Sequence, residues 1–477
     1  MADTSPARAL FRGQQTTQDL TRPRTAFGKL AVGDPDEAGR FTLAGNYQHL
    51  ESGGKYLDWS LESGKLDSKN QVVLDNYFLR STFERTVADN LSVRAGAAVA
   101  GGGPTAEDRL DVGKEYLAKI RKAGYTGVDL GAEVRYAVTD SSELTLGADF
   151  TADDQRIQSI YDLYLQKFGV HEAGAQNPSG PDLGRKTFTN VGLFSQGVFR
   201  PLEPIGLTVG VRGDRHSAYG DVLNYRAGAV YDWTDALTSK LLFGTSFKAP
   251  SPLQLYSAPI QIGDLEGNPQ LRPETAQTVE TELLWEASEH LVLSVDAYWT
   301  RVKDLTQIQQ ALTNYRPVNV GEATTTGVEG AARWQVGAVR GYVNGTLQDT
   351  RILSAAATGG TAKVTGSELF PAVLANVGAL APAPGLPADL HLEIRYIGDM
   401  LPSSSNLSRA PEPYRVPAAV YVDAGLLARK FLVFGRPARV SAKATNLLDN
   451  RAPLPGFGGV DIPAPGRGFA LTLAQGF

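Results

Sequence analysis

The sequence predicts an all-β protein, a transmembrane antiparallel β-barrel of about 20–22 strands with short periplasmic turns and long extracellular loops. Two observations predict this fold class. Apolar and polar residues alternate with a period of two over segments of about 10 to 14 residues, repeated to the end of the chain. The connections between these segments alternate in length, short ones with long ones, as they do in outer-membrane barrels.

The alternating segments are long enough to cross a bilayer. In 275–287, Val279 and Leu283 share one face, and Glu280 and Glu282 share the other. A tilted strand needs about 9–11 residues to cross the apolar layer, whereas strands of soluble sandwiches average about five or six. The length favours a barrel over a soluble, secreted β-rich binding or adhesion protein. The alternation places Leu283, Leu293, Leu392 and Leu471 outward, and Glu282, Asp296, Glu393 and Arg333 in the lumen.

The connections define two rims. Short turns are expected near 34–36, 87–89, 139–141, 201–204, 234–235, 288–289 and 337–338. Long connections are expected over about 102–124, 155–184, 249–274, 304–322, 352–366, 401–415 and 449–465. Within two of them, 106–123 and 157–168 are predicted to form short amphipathic helices. Residues 1–23 are poorly defined, with only a weak strand pattern from about Leu10.

Composition excludes several classes of protein. The net charge of -5 argues against nucleic acid as a partner. The chain has no Cys, which excludes disulfide frameworks and Cys-based metal sites. The best apolar stretch, 370–384, falls short of the roughly 18 residues that a transmembrane helix needs. The mean hydropathy of -0.19 still allows a barrel, because only alternate residues face lipid.

Tryptophan placement is typical of a membrane barrel. Trp233, Trp285, Trp299 and Trp334 all lie on the apolar face, each near a strand end. An aromatic girdle occupies this position in outer-membrane barrels. The alternative is that these are ordinary strand tryptophans beneath a loop.

Four segments carry a family resemblance. They are F-K-A-P at 247–250 followed by L-Y at 255–256; G-N-P-Q-L-R-P-E-T at 267–275; V-N-V-G-E-A at 318–323 with G-V-E at 327–329; and T-N-L-L-D-N at 445–450 with P-G-R at 465–467 and the terminal Phe477. In order and spacing they resemble the C-terminal barrel of TonB-dependent receptors. The prolines cannot donate ladder hydrogen bonds, so we interpret these motifs as structural elements of the barrel rather than as ligand contacts.

The resemblance implies a receptor of the bacterial outer membrane for TonB-dependent uptake of a scarce nutrient such as a metal chelate, cobalamin or a similar ligand. It implies as partners the TonB complex, the small-molecule ligand, and outer-membrane lipid and lipopolysaccharide. No signal peptide, TonB box or plug domain is visible, so we expect an N-terminally truncated chain whose single domain, 1–477, is the barrel without its plug. Such a barrel is expected to enclose a large water-filled cavity. The alternative function is a passive, porin-like channel.

The sequence offers no catalytic constellation. The five histidines show no metal-ligand spacing, so we predict no enzyme activity, no metal site and no cofactor. Aromatic residues in or beside the expected extracellular loops are the candidates for ligand contact: Tyr161, Tyr164, His171, Tyr219, Tyr256 and Tyr315. We favour the interpretation that these rings pack the loops onto each other or onto lipopolysaccharide.

Overall fold

A computed structural model describes residues 21–53, 71–259, 263–311, 313–354, 363–366, 370–402, 414–428, 431–433, 436–455, 461 and 464–475. These residues form one antiparallel sheet of 23 strands. The predicted fold class, an antiparallel outer-membrane-type barrel, is confirmed. The expected weak strand near Leu10 lies outside the described residues.

The strands follow the alternating segments of the sequence. They are β1 (Thr21–Asp34), β2 (Gly39–Gly53), β3 (Gln71–Ala88), β4 (Leu91–Pro104), β5 (Leu110–Lys114), β6 (Leu117–Thr139), β7 (Ser142–Tyr164), β8 (Gln176–Pro178), β9 (Arg185–Leu202), β10 (Ile205–His216), β11 (Gly220–Thr234), β12 (Leu237–Lys248), β13 (Glu274–Ser288), β14 (Leu291–Ala311), β15 (Asn314–Val336), β16 (Val339–Ser354), β17 (Lys363–Gly366), β18 (Val373–Pro382), β19 (Ala388–Ile397), β20 (Ala419–Ala428), β21 (Phe431–Val433), β22 (Arg436–Thr445) and β23 (Gly468–Gln475). One short helix, α1 (Pro252–Tyr256), lies between β12 and β13. No helix in the described ranges is long and apolar enough to cross a membrane.

Each long strand pairs with its neighbours in chain order. The ladder runs β1-β2-β3-β4-β6-β7-β9-β10-β11-β12-β13-β14-β15-β16-β18-β19-β20-β22-β23. The short strands β5, β8, β17 and β21 pair with the ends of β6, β7, β16 and β22. This up-and-down order satisfies the backbone hydrogen-bonding groups within the wall, as a membrane-crossing sheet requires.

The wall has two unlike rims. Tight connections join β1 to β2, β3 to β4, β6 to β7, β9 to β10, β11 to β12, β13 to β14 and β15 to β16; we call this edge the short-turn rim. The opposite edge, the long-loop rim, carries the connections from β4 to β6, β7 to β9, β12 to β13 and β22 to β23. The predicted short turns are confirmed, and long connections follow β4, β7, β12 and β22 as predicted. Most of the predicted long connections 352–366 and 401–415 lies outside the described residues.

Three local predictions are wrong. The segments predicted as helices, 106–123 and 157–168, contain strand: β6 begins at Leu117, and β7 continues to Tyr164. The predicted long connection 304–322 is occupied by the paired ends of β14 and β15. The physical reason is that these hairpins continue beyond the membrane-crossing length, where each strand pairs with its neighbour. Burial there follows the period of a strand, since Ala118 and Ile120 are buried and the alternate residues Lys119 and Arg121 are less so.

The two faces of the wall differ as the alternation predicted. Charged residues meet across the lumen face, where Lys240, Glu282, Asp296 and Glu329 stand opposite one another on β12 to β15. Apolar side chains are exposed on the outward face, including Leu283, Leu392 and Leu471. Trp233 and Trp285 are also exposed there, next to the short-turn rim, where a girdle is expected.

Candidate ligand-binding site at the long-loop rim

An ion-pair network lines the lumen face below the long-loop rim. Arg212 of β10 pairs with Asp149 of β7 through two hydrogen bonds of 2.6 and 2.9 Å. The same guanidinium pairs with Asp214 through bonds of 2.8 and 2.5 Å. Asn190 of β9 donates to Asp214 at 2.9 Å. The bidentate pair with Asp149 joins β10 to β7, and Asn190 joins β9 to the same network, so the ion pairs and this hydrogen bond hold three strands in a defined register.

Gly192 makes this network possible. It stands directly opposite Asp149 on one side and Asp214 on the other. A Cβ atom at Gly192 would lie 2.2 Å from Nη2 of Arg212 and 2.7 Å from Oδ1 of Asp149. The guanidinium therefore lies over the bare backbone of the central strand, where any other residue would displace it.

Aromatic rings gather immediately above the network, at the long-loop rim. We call Phe188, His216, Tyr219, Phe247 and Tyr256 the mouth cluster. The His216 and Tyr219 rings stack with centroids 3.9 Å apart, and the Phe188 ring lies 6.1 Å from His216 and 6.0 Å from Tyr256. Phe247 lies 6.0 Å from Tyr219. Such separations are those of interacting aromatic pairs.

The mouth cluster also has polar groups. The Nζ atom of Lys186 lies 5.2 Å from the centre of the Tyr256 ring, within cation–π range. The backbone N–H of Ala218 donates to Nδ1 of His216 at 3.1 Å, so a neutral His216 carries its proton on Nε2. Burial raises the pKa of the Tyr219 hydroxyl, with Asp214 adding to the shift, which keeps the phenol a neutral hydrogen-bonding group.

The motif at 267–275 positions Tyr256. Helix α1 starts with a capping box in which Ser251 and Gln254 exchange hydrogen bonds. The backbone N–H of Gly267 donates to Ser257, and a Cβ atom at Gly267 would lie 2.7 Å from backbone atoms of α1. The side chain of Asn268 then donates to the carbonyl of Pro317 at 2.9 Å. The motif acts through packing, and the helix it supports contacts β7 across the lumen side.

Three other candidate residues lie in a second group on β7 and the loop that follows it. The Tyr161 hydroxyl donates to Asp182 at 2.6 Å, and its ring lies under Lys122 Nζ at 3.8 Å. Tyr164 stacks on His171 with centroids 4.2 Å apart. Tyr161 is buried, at 8% exposure, and these contacts attach the loop to the strand.

Asp182 holds that loop in place through its hydrogen bonds. It also accepts hydrogen bonds from Arg156 at 2.8 Å and from the backbone of Gly184 at 3.0 Å. The hydrogen bond from Tyr161, then that from Gly184, lowers the pKa of Asp182 below its usual range. The same hydrogen bond raises the pKa of Tyr161. The pair is therefore held as carboxylate and phenol over a wide range of pH.

Tyr315 lies apart from both groups. It is exposed at the start of β15, where its backbone exchanges hydrogen bonds with Asp264 and Glu266. Of the six residues proposed from the sequence, the structure thus brings together Tyr219 and Tyr256 in the mouth cluster, and Tyr161, Tyr164 and His171 in the second group.

Sequence reasoning missed Phe188, His216, Phe247 and Lys186 as members of the mouth cluster. Phe188 and Lys186 share a strand face with Asn190 and Gly192, and His216 shares one with Asp214. Counting residues from each short turn to the last lumen-facing position would have found Phe188, Lys186 and His216. Within the described residues, no group of three or more His, Asp or Glu side chains is arranged to hold a metal ion.

The comparison with protein families decides the identity of the fold. The family described as TonB dependent receptor-like, beta-barrel, matches residues 3–447. The chain belongs to the TonB-dependent receptor family. This receptor barrel is accordingly a protein of the bacterial outer membrane, and its long-loop rim is the extracellular one.

Curated relatives of the receptor barrel include a vitamin B12 transporter and an iron-regulated outer membrane protein. The chain is 34% identical over 130 residues to the vitamin B12 transporter BtuB of Vibrio vulnificus, covering 27% of this chain and 19% of that protein. It is 27% identical over 238 residues to the iron-regulated outer membrane virulence protein of Vibrio cholerae, covering 45% of this chain and 36% of that protein. The aligned regions therefore span well under half the length of these relatives.

Solved structures share the fold along nearly the whole receptor barrel. The copper transporter OprC superposes with a TM-score of 0.72 at 16% identity, covering 96% of this chain and 73% of that one. The ferric-catecholate import receptor Fiu of E. coli K12 superposes with a TM-score of 0.68 at 14% identity, covering 96% of this chain and 75% of that one. At these identities the likeness concerns the fold alone.

Proposed function

We propose that the receptor barrel takes up a scarce small-molecule nutrient across the outer membrane in a TonB-dependent manner, and that the ligand first contacts the mouth cluster. The observation that carries the proposal is the position of this cluster. In a barrel of the TonB-dependent receptor family, five aromatic rings and Lys186 meet at the extracellular rim, above a charged lumen wall. A ligand that enters the lumen beside β9 and β10 passes this surface.

The chemistry of the cluster favours one class of nutrient. Flat aromatic faces bind planar or conjugated groups by stacking. Lys186 supplies a cation, and the Nε2–H of His216 supplies a donor, so an anionic or carbonyl-bearing group is complemented at the same place. The network below offers little free charge, because Arg212 is shared between Asp149 and Asp214. A metal chelate, cobalamin or a similar conjugated ligand fits this surface.

Binding and uptake test the proposal together. Purified protein is titrated with cobalamin, a ferric catecholate and Cu²⁺, and the tightest ligand is carried forward. Tyr219→Ala with Tyr256→Ala should weaken its binding about tenfold or more, since each base-sized stacking contact contributes roughly 1–3 kcal/mol. Tyr225→Ala is the matched control, because Tyr225 is an exposed aromatic on the outward face of β11 that pairs with Phe243.

Energy coupling is measured separately in cells that lack their own receptor for that ligand. Uptake by a receptor in which this barrel carries a plug domain and a TonB box should disappear when the TonB complex is deleted, while binding to the cell surface persists. Uptake that continues without TonB would show a passive channel instead. Equal binding by the cluster variant and the Tyr225 variant would remove the mouth cluster from the proposal.

A further inference from the structure

The wall of the receptor barrel ends in two strands that each have a neighbour on one side only. Within the described residues, β1 pairs with β2 alone, and β23 pairs with β22 alone. Residues 22–34 of β1 are exposed on both faces, whereas burial alternates along inner strands such as β13 and β19. Phe27 is 66% exposed on the lumen face, and Phe469 is 78% exposed on the outward face. Both edges present backbone hydrogen-bonding groups at membrane depth, where lipid cannot satisfy them.

The two edge strands run in the same direction. β1 is joined to β2 at the short-turn rim, and β23 follows the connection from β22 at the long-loop rim. Both strands therefore run from the extracellular side to the periplasmic side. Without the four short strands the described ladder has 19 members, an odd number, whereas bacterial barrels have an even number of antiparallel strands. Antiparallel closure needs one further strand, or another odd number, that runs outward between β1 and β23.

This direction excludes a second copy as the antiparallel partner of either edge. Two barrels inserted in the same sense are related by an axis along the membrane normal, so the edge strands of both copies run towards the periplasm. A second copy therefore offers only parallel pairing. A hairpin inserted as a whole adds two strands and leaves the count odd. The seam between β1 and β23 fits a single extended segment that runs from the periplasmic to the extracellular side.

We propose that residues 7–17 of this chain fill the seam as one further long strand and close the barrel. Thr21 begins β1 at the extracellular rim, so a strand that precedes β1 and ends at this rim runs in the required direction. Consecutive strands are usually neighbours in a sheet, and a segment of this length is sufficient to cross the apolar layer. The match to the receptor barrel family begins at residue 3, which assigns the segment to the barrel domain.

The segment has the alternation that a closing strand needs. One parity is small or apolar and the other carries charge, since Ala7, Ala9, Phe11 and Gly13 alternate with Arg8, Leu10 and Arg12. The first set, placed towards lipid, continues the outward surface of β1. There Gly28 stands opposite Gly45, and a Cβ atom at Gly28 would meet nothing within 4 Å. This hollow accommodates the ring of Phe11, as Gly341 accommodates the ring of Trp334 on the neighbouring strand within the wall.

Disulfide formation in the full chain tests the proposal, because the chain has no native Cys. Leu10→Cys is combined in turn with a cysteine on the lumen face of β1: Thr25→Cys, Phe27→Cys or Lys29→Cys. One of the three pairs should form a disulfide in protein folded into lipid vesicles. It should form about tenfold faster than the control pairs with Ala26→Cys or Gly28→Cys on the outward face, because Cβ atoms that point apart cannot be bridged without backbone movement.

The other edge is tested in the same way. Arg12→Cys should form a disulfide with one cysteine on the lumen face of β23: Ala470→Cys, Thr472→Cys or Ala474→Cys. A disulfide between a lumen-facing cysteine of β1 and one of β23 would show instead that the two edges close on each other. A disulfide between two molecules would show that a second copy fills the seam. Equal rates with both faces of β1 would show that the segment is not held in the wall. Each of these three results would overturn the proposal.

A matched pair of arginines gives a second readout that does not depend on register. Phe11→Arg places a charge on the lipid face of the closing strand, which is costly at membrane depth, whereas Leu10→Arg places it on the lumen face. Phe11→Arg should therefore lower the urea midpoint of the protein in vesicles, and Leu10→Arg should leave it unchanged. Equal midpoints for both variants and the wild type would place residues 7–17 outside the wall and overturn the proposal. The folded state of every cysteine variant is checked by its heat-modifiable electrophoretic mobility.

Discussion

Arg212 and Asp149 are 63 residues apart in sequence and form a two-point ion pair across the bare backbone of Gly192. The pair joins β7 to β10 over the strand between them. Arg212 also binds Asp214 of its own strand, and Asn190 of β9 donates to that carboxylate, so the network couples three strands directly beneath the mouth cluster.

Replacing Gly192 should therefore destabilise the folded barrel. Gly192→Val places atoms where Nη2 of Arg212 lies, 2.2 Å from an ideal Cβ, and displaces the guanidinium from both carboxylates. We expect a destabilisation of about 1–3 kcal/mol, the usual cost of overpacking. The measurement is urea-induced unfolding of the protein folded into lipid vesicles. Gly244→Val is the control, because a Cβ atom at Gly244 meets nothing within 4 Å; equal losses for both would contradict the argument.

The two faces of one strand can be compared with neighbouring leucines. Leu283 faces outward on β13, and Leu284 shares the lumen face with Glu282. Leu283→Arg should cost more than Leu284→Arg, because an arginine facing lipid costs up to about 2–4 kcal/mol at mid-bilayer and less towards the interface, whereas Leu284→Arg meets water and carboxylates. The measurement is the folding free energy of each variant in lipid vesicles. Comparable costs for the two arginines are incompatible with a lipid-facing outward surface.

The loop after β7 should loosen at low pH. The pKa of Asp182 is lowered by its hydrogen bonds from Tyr161 and Gly184. The stabilisation that ionised Asp182 gives to this loop is therefore fully present above the ordinary aspartate pKa, 3.8. It is lost only as the pH falls through the lowered pKa of Asp182. Hydrogen exchange of 165–184 should stay constant from neutral pH to about pH 4, apart from the intrinsic pH effect, and rise below it.

Asp182→Asn should raise exchange in 165–184 above about pH 4, because the ion pair with Arg156 is lost, and the difference from the wild type should shrink as Asp182 becomes protonated at lower pH. Glu172→Gln is the control, since its pair with Lys167 is exposed on both sides. A loop that loosens already near pH 6 would show that a group other than Asp182 holds it.

The absence of Cys makes the orientation simple to test. Val170 is 90% exposed in the loop after β7, and Asp140 lies in the tight turn between β6 and β7. A membrane-impermeant maleimide added to intact cells should label Val170→Cys and leave Asp140→Cys unlabelled. Both should be labelled after the outer membrane is permeabilised. The reverse pattern on intact cells would invert the orientation of the barrel.

The local sequence pattern predicted most of the fold. A strand has a period of two whatever surrounds it, so the alternation in 275–287 predicted both faces of β13 and the tight turn after it. The short turns could be predicted for the same reason, since few residue types form them. The pattern was ambiguous at 106–123 and 157–168, where charged and apolar residues also fit a helical period, and the prediction there was wrong.

The mouth cluster depends on register between strands far apart in sequence. The sequence predicted Tyr219 and Tyr256 as aromatic residues of the loops, but not their partners Phe188 and His216. Nothing in the sequence near Phe188 or His216 shows that β9 lies beside β10 and beneath α1. The alternation of the chain by itself determined which residues face lipid and which face the lumen. Only the tertiary structure decided which of them meet, because that depends on how far each strand runs before it turns and on which strand it pairs with.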